Sequence, residues 1–205
     1  MLTTGIYMDN TYVPTADEIA VALVVARRRN SLNGGGTNIP GGETATEQDR
    51  LAQHFAGCLA EIAVSRLMNL CWSGCGKGAL GSKDVGGLIE VRSVTERCRG
   101  LLARNKDLDD DYCVLVFVDK PTKCCEVVGW ETYRNVKAKG RALQQDTDRP
   151  CWILHADQLR PLSQLAWVMS YDKEDLRTNG PKTTTAHCSS YRTYGIALPS
   201  RLTAE

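Results

Sequence analysis

Lys83-Asp84-Val85-Gly86-Gly87-Leu88-Ile89-Glu90-Val91-Arg92-Ser93 is the stretch on which the fold reading turns. Paired glycines mark a tight turn, an acid stands just before it, and the residues after it alternate as a strand does. On a strand Glu90 and Arg92, two apart, project to one face while Ile89 and Val91 face the core. Asp84 then meets Glu90 across the turn. Two hard carboxylates with backbone carbonyls close by suit Mg²⁺ or Mn²⁺, which prefer oxygen ligands and keep several waters.

Upstream, Thr44 to Glu47 has the form of a capping box and opens a segment running to about Leu70. Leu51, Phe55, Cys58, Leu59, Ile62 and Leu70 fall within one sector of it at ~100° per residue, the pattern of a long helix packed by one face. His54 and Glu61 lie two turns apart on a flank of that stripe, with Gly57 between them allowing close approach to a neighbour. This puts a carboxylate at the edge of a buried face.

Downstream, short runs separated by Gly and Asp predict strands around 72–82, 87–94, 100–104, 112–119 and 124–130. Tyr112-Cys-Val-Leu-Val-Phe-Val-Asp119 is nearly all apolar, as a central strand covered on both faces should be. Residues 133–148 are polar and give no clear element, 151–155 read as another strand, and 156–167 as a turn and short helix with Pro161 near its start. The order predicts an α/β domain with a mixed sheet flanked by helices, a long helix preceding the central strands.

The 205 residues suffice for one sizeable domain, and a net charge of +1 leaves no global excess of either sign to announce an acidic or nucleic-acid partner. Thr15 to Glu18 is a further capping box, opening a helix to about Arg29. Residues 33–42 hold five glycines and a proline. The chain therefore divides into an N-terminal appendage and linker (1–42), a core (43–170) and a polar C-terminal extension (171–205). The glycine run follows a helix instead of a strand and lacks a G-K-[ST] ending, so it is no phosphate loop. The longest apolar run near the start, Ile19 to Ala26, has eight residues, against about 20 for a bilayer span, so a soluble, cytoplasmic protein is expected. Nine cysteines, odd in number and scattered, predict reduced thiols. Cys71-x₃-Cys75 with the adjacent Cys124-Cys125 is a poor zinc spacing, and neither His155 nor His187 has the context of a Cys-His hydrolase.

The ordered pieces resemble the PD-(D/E)XK nuclease superfamily, with its restriction-endonuclease-like fold, as found in phages and restriction systems. They are Gly57-Cys-Leu-Ala-Glu61 on the helix, Asp84, Glu90-Val91-Arg92, the apolar strand 112–119, Val127-Val-Gly-Trp130 and Leu159-Arg-Pro-Leu162. The resemblance spans roughly residues 46–165. It implies Asp84 and Glu90 as metal ligands, the Val91 carbonyl as a third, and Glu61 as a direct or water-mediated contributor to a Mg²⁺ or Mn²⁺ site. It further implies a metal-dependent deoxyribonuclease that hydrolyses phosphodiesters, two-strand cleavage calling for a homodimer by symmetry. Arg92 stands where the family usually has Lys. Arginine stays protonated at working pH but can clamp a phosphate oxygen with its planar fork. Lys83 and Lys106 are conceivable stand-ins for the lysine, Lys83 being expected to point away as a neighbour of Asp84.

Two basic clusters can meet DNA phosphates: Arg97, Arg99, Arg104 and Lys106, then Arg134, Lys137, Lys139 and Arg141. Asp107, Asp109, Asp110 and Asp111 oppose the first. The plainer account of the acids is a turn aspartate bonded to its own backbone and an exposed Glu90 paired with Arg92. A different class of function, favoured by Arg92, is a nuclease-like fold without turnover that binds DNA or a protein.

Overall fold

The computed structural model describes residues 10–32, 46–72, 74, 83–143 and 150–169. The glycine-rich connection, Thr44, most of the strand expected at 72–82, residues 144–148 and the extension 171–205, with Cys75, His187 and Cys188, lie outside the described residues. Residues 1–168 form one compact unit and 169–205 a second, of which only residue 169 is described.

In chain order the elements are β1 (Thr11–Tyr12), α1 (Ala16–Leu32), α2 (Glu47–Leu67), β2 (Ile89–Val94), β3 (Leu101–Arg104), β4 (Tyr112–Val118) and β5 (Cys125–Thr132). These are followed by α3 (Tyr133–Lys139), β6 (Arg141–Leu143), β7 (Cys151–Leu154), a 3₁₀ turn (Ala156–Gln158) and a helix over residues 162–169. The chain is thus mixed α/β with two sheets. Four strands run in the order β1-β5-β4-β2, with β4 parallel to β2 and antiparallel to β5, and three antiparallel strands in the order β3-β7-β6.

α1 starts as its sequence predicts: Glu18 N donates to Thr15 Oγ1 at 3.2 Å and Thr15 N to a Glu18 carboxylate oxygen at 2.9 Å. α2 begins two residues later than its expected box. Thr46 is the cap, and its reciprocal partner is Asp49. Thr46-x-x-Asp49 satisfies the same two free amide donors as the expected pair does. The polar stretch after Thr132 resolves into α3, because the Thr132 hydroxyl caps it and Tyr133 and Val136, three apart, bury on one side.

β4 lies between β5 and β2, and its side chains fill both faces as the apolar run predicts. On one face α2 packs over β2 and β4. On the other, Cys113 and Leu115 join Leu101, Ala103, Tyr133, Val136 and Leu154 in a buried cluster against which Val94 also packs. At ~25 cal/mol per Å² of apolar area, each such fully buried large side chain contributes roughly 1.5–3 kcal/mol. Gly57 lies over Ser93, and an added Cβ there would be 4.0 Å from the Ser93 hydroxyl. The expected close approach at Gly57 is therefore not what requires a glycine.

Residues 10–32, expected within an appendage, are joined to the main sheet and to α2. β1 pairs with β5, Ala22 and Ala26 are fully buried, and Arg29 reaches Glu61 with two hydrogen bonds of 2.7 Å. Small residues on α1 let the two helices approach, a feature that a search for large apolar stripes passes over. At the other end, Arg160 pins the Leu159-Arg-Pro-Leu162 turn to β5. Its backbone exchanges both hydrogen bonds with Trp130, its guanidinium lies 3.8 Å from the indole centroid, and it pairs with the buried Glu131.

Candidate active site

The Gly86-Gly87 turn does what its sequence predicts. Both glycines have positive φ, 59° and 71°, and the turn is closed by Ile89 N donating to the Val85 carbonyl at 3.0 Å. Val85 also bridges to Trp72. Asp84 is thereby set beside the outer edge of β2, where its Oδ2 accepts the Val91 amide at 2.9 Å. A side chain does here what a neighbouring strand would do, which also blunts an exposed sheet edge.

Three carboxylates approach this edge from different elements. Glu61 comes from α2 on one face of the sheet, Asp84 from the turn, and Glu90 from the opposite face of β2, and they are 4, 7 and 5 % exposed. Burial of carboxylates in such company is costly unless charge is compensated. Desolvation first, then the charges of Glu61 and Glu90, push Asp84 up to about 7, against the lowering effects of the Val91 amide and Arg29. The plainer account of these acids does not describe them. Asp84 accepts a strand amide seven residues on, and Glu90 is buried.

Glu61 is held on both oxygens. Arg29 Nη1 and Nη2 donate to Oε1 and Oε2 at 2.7 Å, and the Trp72 indole N–H donates to Oε2 at 2.7 Å. Nothing in the surroundings of Arg29, an Arg27-Arg28-Arg29 run at a helix end, marks one arginine as the buried partner of Glu61. His54 faces the same pair. Desolvation and then the Arg29 charge lower its pKa, with Glu61 acting in the opposite sense.

Arg92 leaves the carboxylates for Asp107. Its Nη2 is 3.3 Å from both Asp107 oxygens, and its guanidinium lies 5.7 Å from the Tyr133 ring centroid. Asp107 in turn accepts the Arg104 amide at 2.9 Å. Lys83 does not point away: its ammonium is paired with Asp111 and stands 4.0 Å from Glu90 Oε1. Among the described residues, no group of three or more His, Cys, Asp or Glu side chains is placed to hold a metal ion. Glu61 is engaged on both oxygens by Arg29 and Trp72, Asp84 by the Val91 amide, and Glu90 stands beside the Lys83 ammonium.

The expected phosphate-binding residues divide. Arg97 pairs with Glu126, Arg99 with Glu96, Arg134 with Asp110, and Lys137 with Asp109. Among the described residues Arg104, Lys106, Lys139 and Arg141 are exposed and have no ion pair. The described cysteines follow expectation except Cys71. Six described cysteines are free thiols, and burial pushes Cys58, Cys113 and Cys125 up to about 12, so they are inert core residues. Cys71, however, is disulfide-bonded, a pairing in space that a count of cysteines does not reveal. No helix among the described residues is long and apolar enough to cross a membrane.

Comparison with protein-family models, with curated proteins and with solved structures finds no match.

Proposed function

We propose that the chain is a metal-dependent phosphodiester hydrolase of PD-(D/E)XK type acting on DNA. One observation supports this above the others: Glu61, Asp84 and Glu90 are buried around one sheet edge, with Asp84 pushed up to about 7 first by its burial and then by the charges of Glu61 and Glu90. A buried carboxyl raised by its surroundings is a pattern that functional sites use. Their chemistry fits a hard divalent cation. Asp84 and Glu90 are the residues that would hold it, and one or two carboxylates are what Mg²⁺ takes from a protein at phosphate sites.

When bound, the cation supplies an acidified water and neutralises charge on the phosphate. The chain's own residues do the rest. The Val91 amide fixes the direction of the Asp84 carboxylate, and the Gly86-Gly87 turn, closed by the Ile89–Val85 hydrogen bond, sets Asp84 at its spacing to Glu90. Arg29 and Trp72 lock Glu61, so that its charge acts on Asp84 from a set position. Arg104, Lys106, Lys139 and Arg141 are the exposed cations free to meet a nucleic-acid backbone.

The test is incubation of the purified protein with circular and linear DNA in Mg²⁺, Mn²⁺ or EDTA, beside Asp84→Ala and Glu90→Ala. Metal-dependent cutting lost in both variants supports the reading. A second reading, a nuclease-like fold retained for binding, draws on the engagement of Glu61 by Arg29. Salt-sensitive DNA binding with no cutting in any metal, unchanged or tighter in the two variants, would favour it over hydrolysis.

A further inference from the structure

A lysine stands beside Glu90 where the order of residues hides it. Neighbours in an extended segment point to opposite sides. Asp84 is turned to the Val91 amide, and the Lys83 side chain reaches the face carrying Glu90. Its Nζ lies 4.0 Å from Glu90 Oε1 and is paired with Asp111, the residue that leads into β4. Because β2 and β4 run parallel with Ile89 opposite Tyr112, Glu90 and Asp111 sit at the same end of the sheet, and one ammonium reaches both. The Lys83 side chain keeps 19 % of its surface exposed, so it borders solvent instead of being sealed in.

Arg92 is placed differently. Its ion pair is with Asp107, whose side chain is 3 % exposed and also holds the Arg104 amide, and its guanidinium rests over Tyr133. Drawing Arg92 away would leave a buried carboxylate without its cation, a change that ordinarily costs several kcal/mol. An ammonium differs from a guanidinium in carrying three donors on a freely rotating centre. Lys83 can therefore keep its bond to Asp111 and turn a second donor to a phosphate oxygen at Glu90.

We propose that Lys83 is the cation of this site that contacts the scissile phosphate, and that Asp111 is the positioning residue holding its ammonium beside Glu90, while Arg92 serves the fold. The inference rests on the nuclease reading and adds to it a residue outside the Glu-x-Lys position. No covalent step passes through Lys83; it contributes charge and two directed hydrogen bonds.

Full-length wild type, Lys83→Met, Lys83→Gln, Asp111→Asn and Arg92→Gln are compared in two assays. One is steady-state cleavage of duplex DNA in Mg²⁺ or Mn²⁺; the other is the salt dependence of binding to the same duplex in EDTA. Lys83→Met should lower kcat ~100-fold or more with KM within about threefold, the mark of an interaction made in the transition state. Asp111→Asn should lower kcat roughly tenfold, and Arg92→Gln less than about fivefold. In EDTA, loss of the Lys83 contact should reduce the slope of log K against log salt by about 0.9, the value for one phosphate, with Arg92→Gln leaving it unchanged. Should Lys83→Met not fold, Lys83→Gln gives the same two readouts. Unchanged kcat and slope in the Lys83 variants, with wild type cutting normally, would overturn this inference and leave the nuclease reading standing. The ~100-fold loss appearing in Arg92→Gln instead would return the role to Arg92. A wild type that cuts nothing would remove the nuclease reading and this inference with it.

Discussion

Replacing Asp84 by Asn should stabilise the metal-free protein, and by an amount that grows with pH. In the folded chain burial and the charges of Glu61 and Glu90 raise the Asp84 carboxyl from 3.8 to about 7. A raised carboxyl binds its proton more tightly in the folded state. The associated stability is complete below the unfolded value and is lost as pH rises through the folded one. Three units at ~1.36 kcal/mol each give roughly 4 kcal/mol in all, of which more than half disappears between pH 5 and pH 8. Asn does not titrate, and its side-chain oxygen can still accept the Val91 amide that now meets Asp84 Oδ2 at 2.9 Å. Thermal melts in EDTA should show the variant's advantage over wild type widening by roughly 5–10 °C across that range. Mg²⁺ or Mn²⁺ at pH 8 should then raise the melting temperature of wild type and leave Asp84→Asn unmoved, since a ligand stabilises only the state that binds it. A gap between the two proteins that stays constant from pH 5 to pH 8 would refute the reasoning. It would mean that Asp84 titrates as an ordinary carboxylate and that the three acids do not share one buried edge.

Arg29→Ala should destabilise the fold by about 3–5 kcal/mol in urea titrations, because it strands the buried Glu61 carboxylate; the double variant with Glu61→Gln should recover much of that loss. Gly100→Ala should be among the most damaging small substitutions, since the new methyl would land on the Leu154 carbonyl and force β7 off β3. A loss of soluble, cooperatively melting protein would confirm it, and a melt like wild type would show that the pairing can shift. On DNA, Arg104→Ala or Arg141→Ala should each reduce the salt slope of binding by about 0.9. Arg99→Ala, whose cation is already paired with Glu96, should change it little.

The central elements were legible because local signals agreed with the global arrangement. The apolar run 112–118 could only be an inner strand. The Gly86-Gly87 turn could only close a hairpin, and the stripe from Leu51 to Ile62 could only be a helix with one packed face. Asp84, Glu90 and Glu61 are brought together as a set by the resemblance to a nuclease family, and the fold buries each of them. The small-residue packing of α1 and the dissolution of 133–143 into a short helix and strand were not legible. Alanine contacts and a hydroxyl cap gain their meaning only from a neighbour that sequence spacing does not name.

Sequence by itself determined which segments can be strand or helix and which ionisable side chains lie near a turn or a packed helix face, because periodicity and turn residues act over a few positions. Partnership was decided by tertiary structure. Arg29 goes to Glu61 across 32 residues, Arg92 to Asp107 across 15, and Lys83 to Asp111 across 28. Each cation is attracted equally by any carboxylate in reach, and which one is in reach depends on strand register and helix docking. Those are set by the burial of apolar side chains elsewhere in the molecule, so the identity of each pair follows from packing and not from the charged residues themselves.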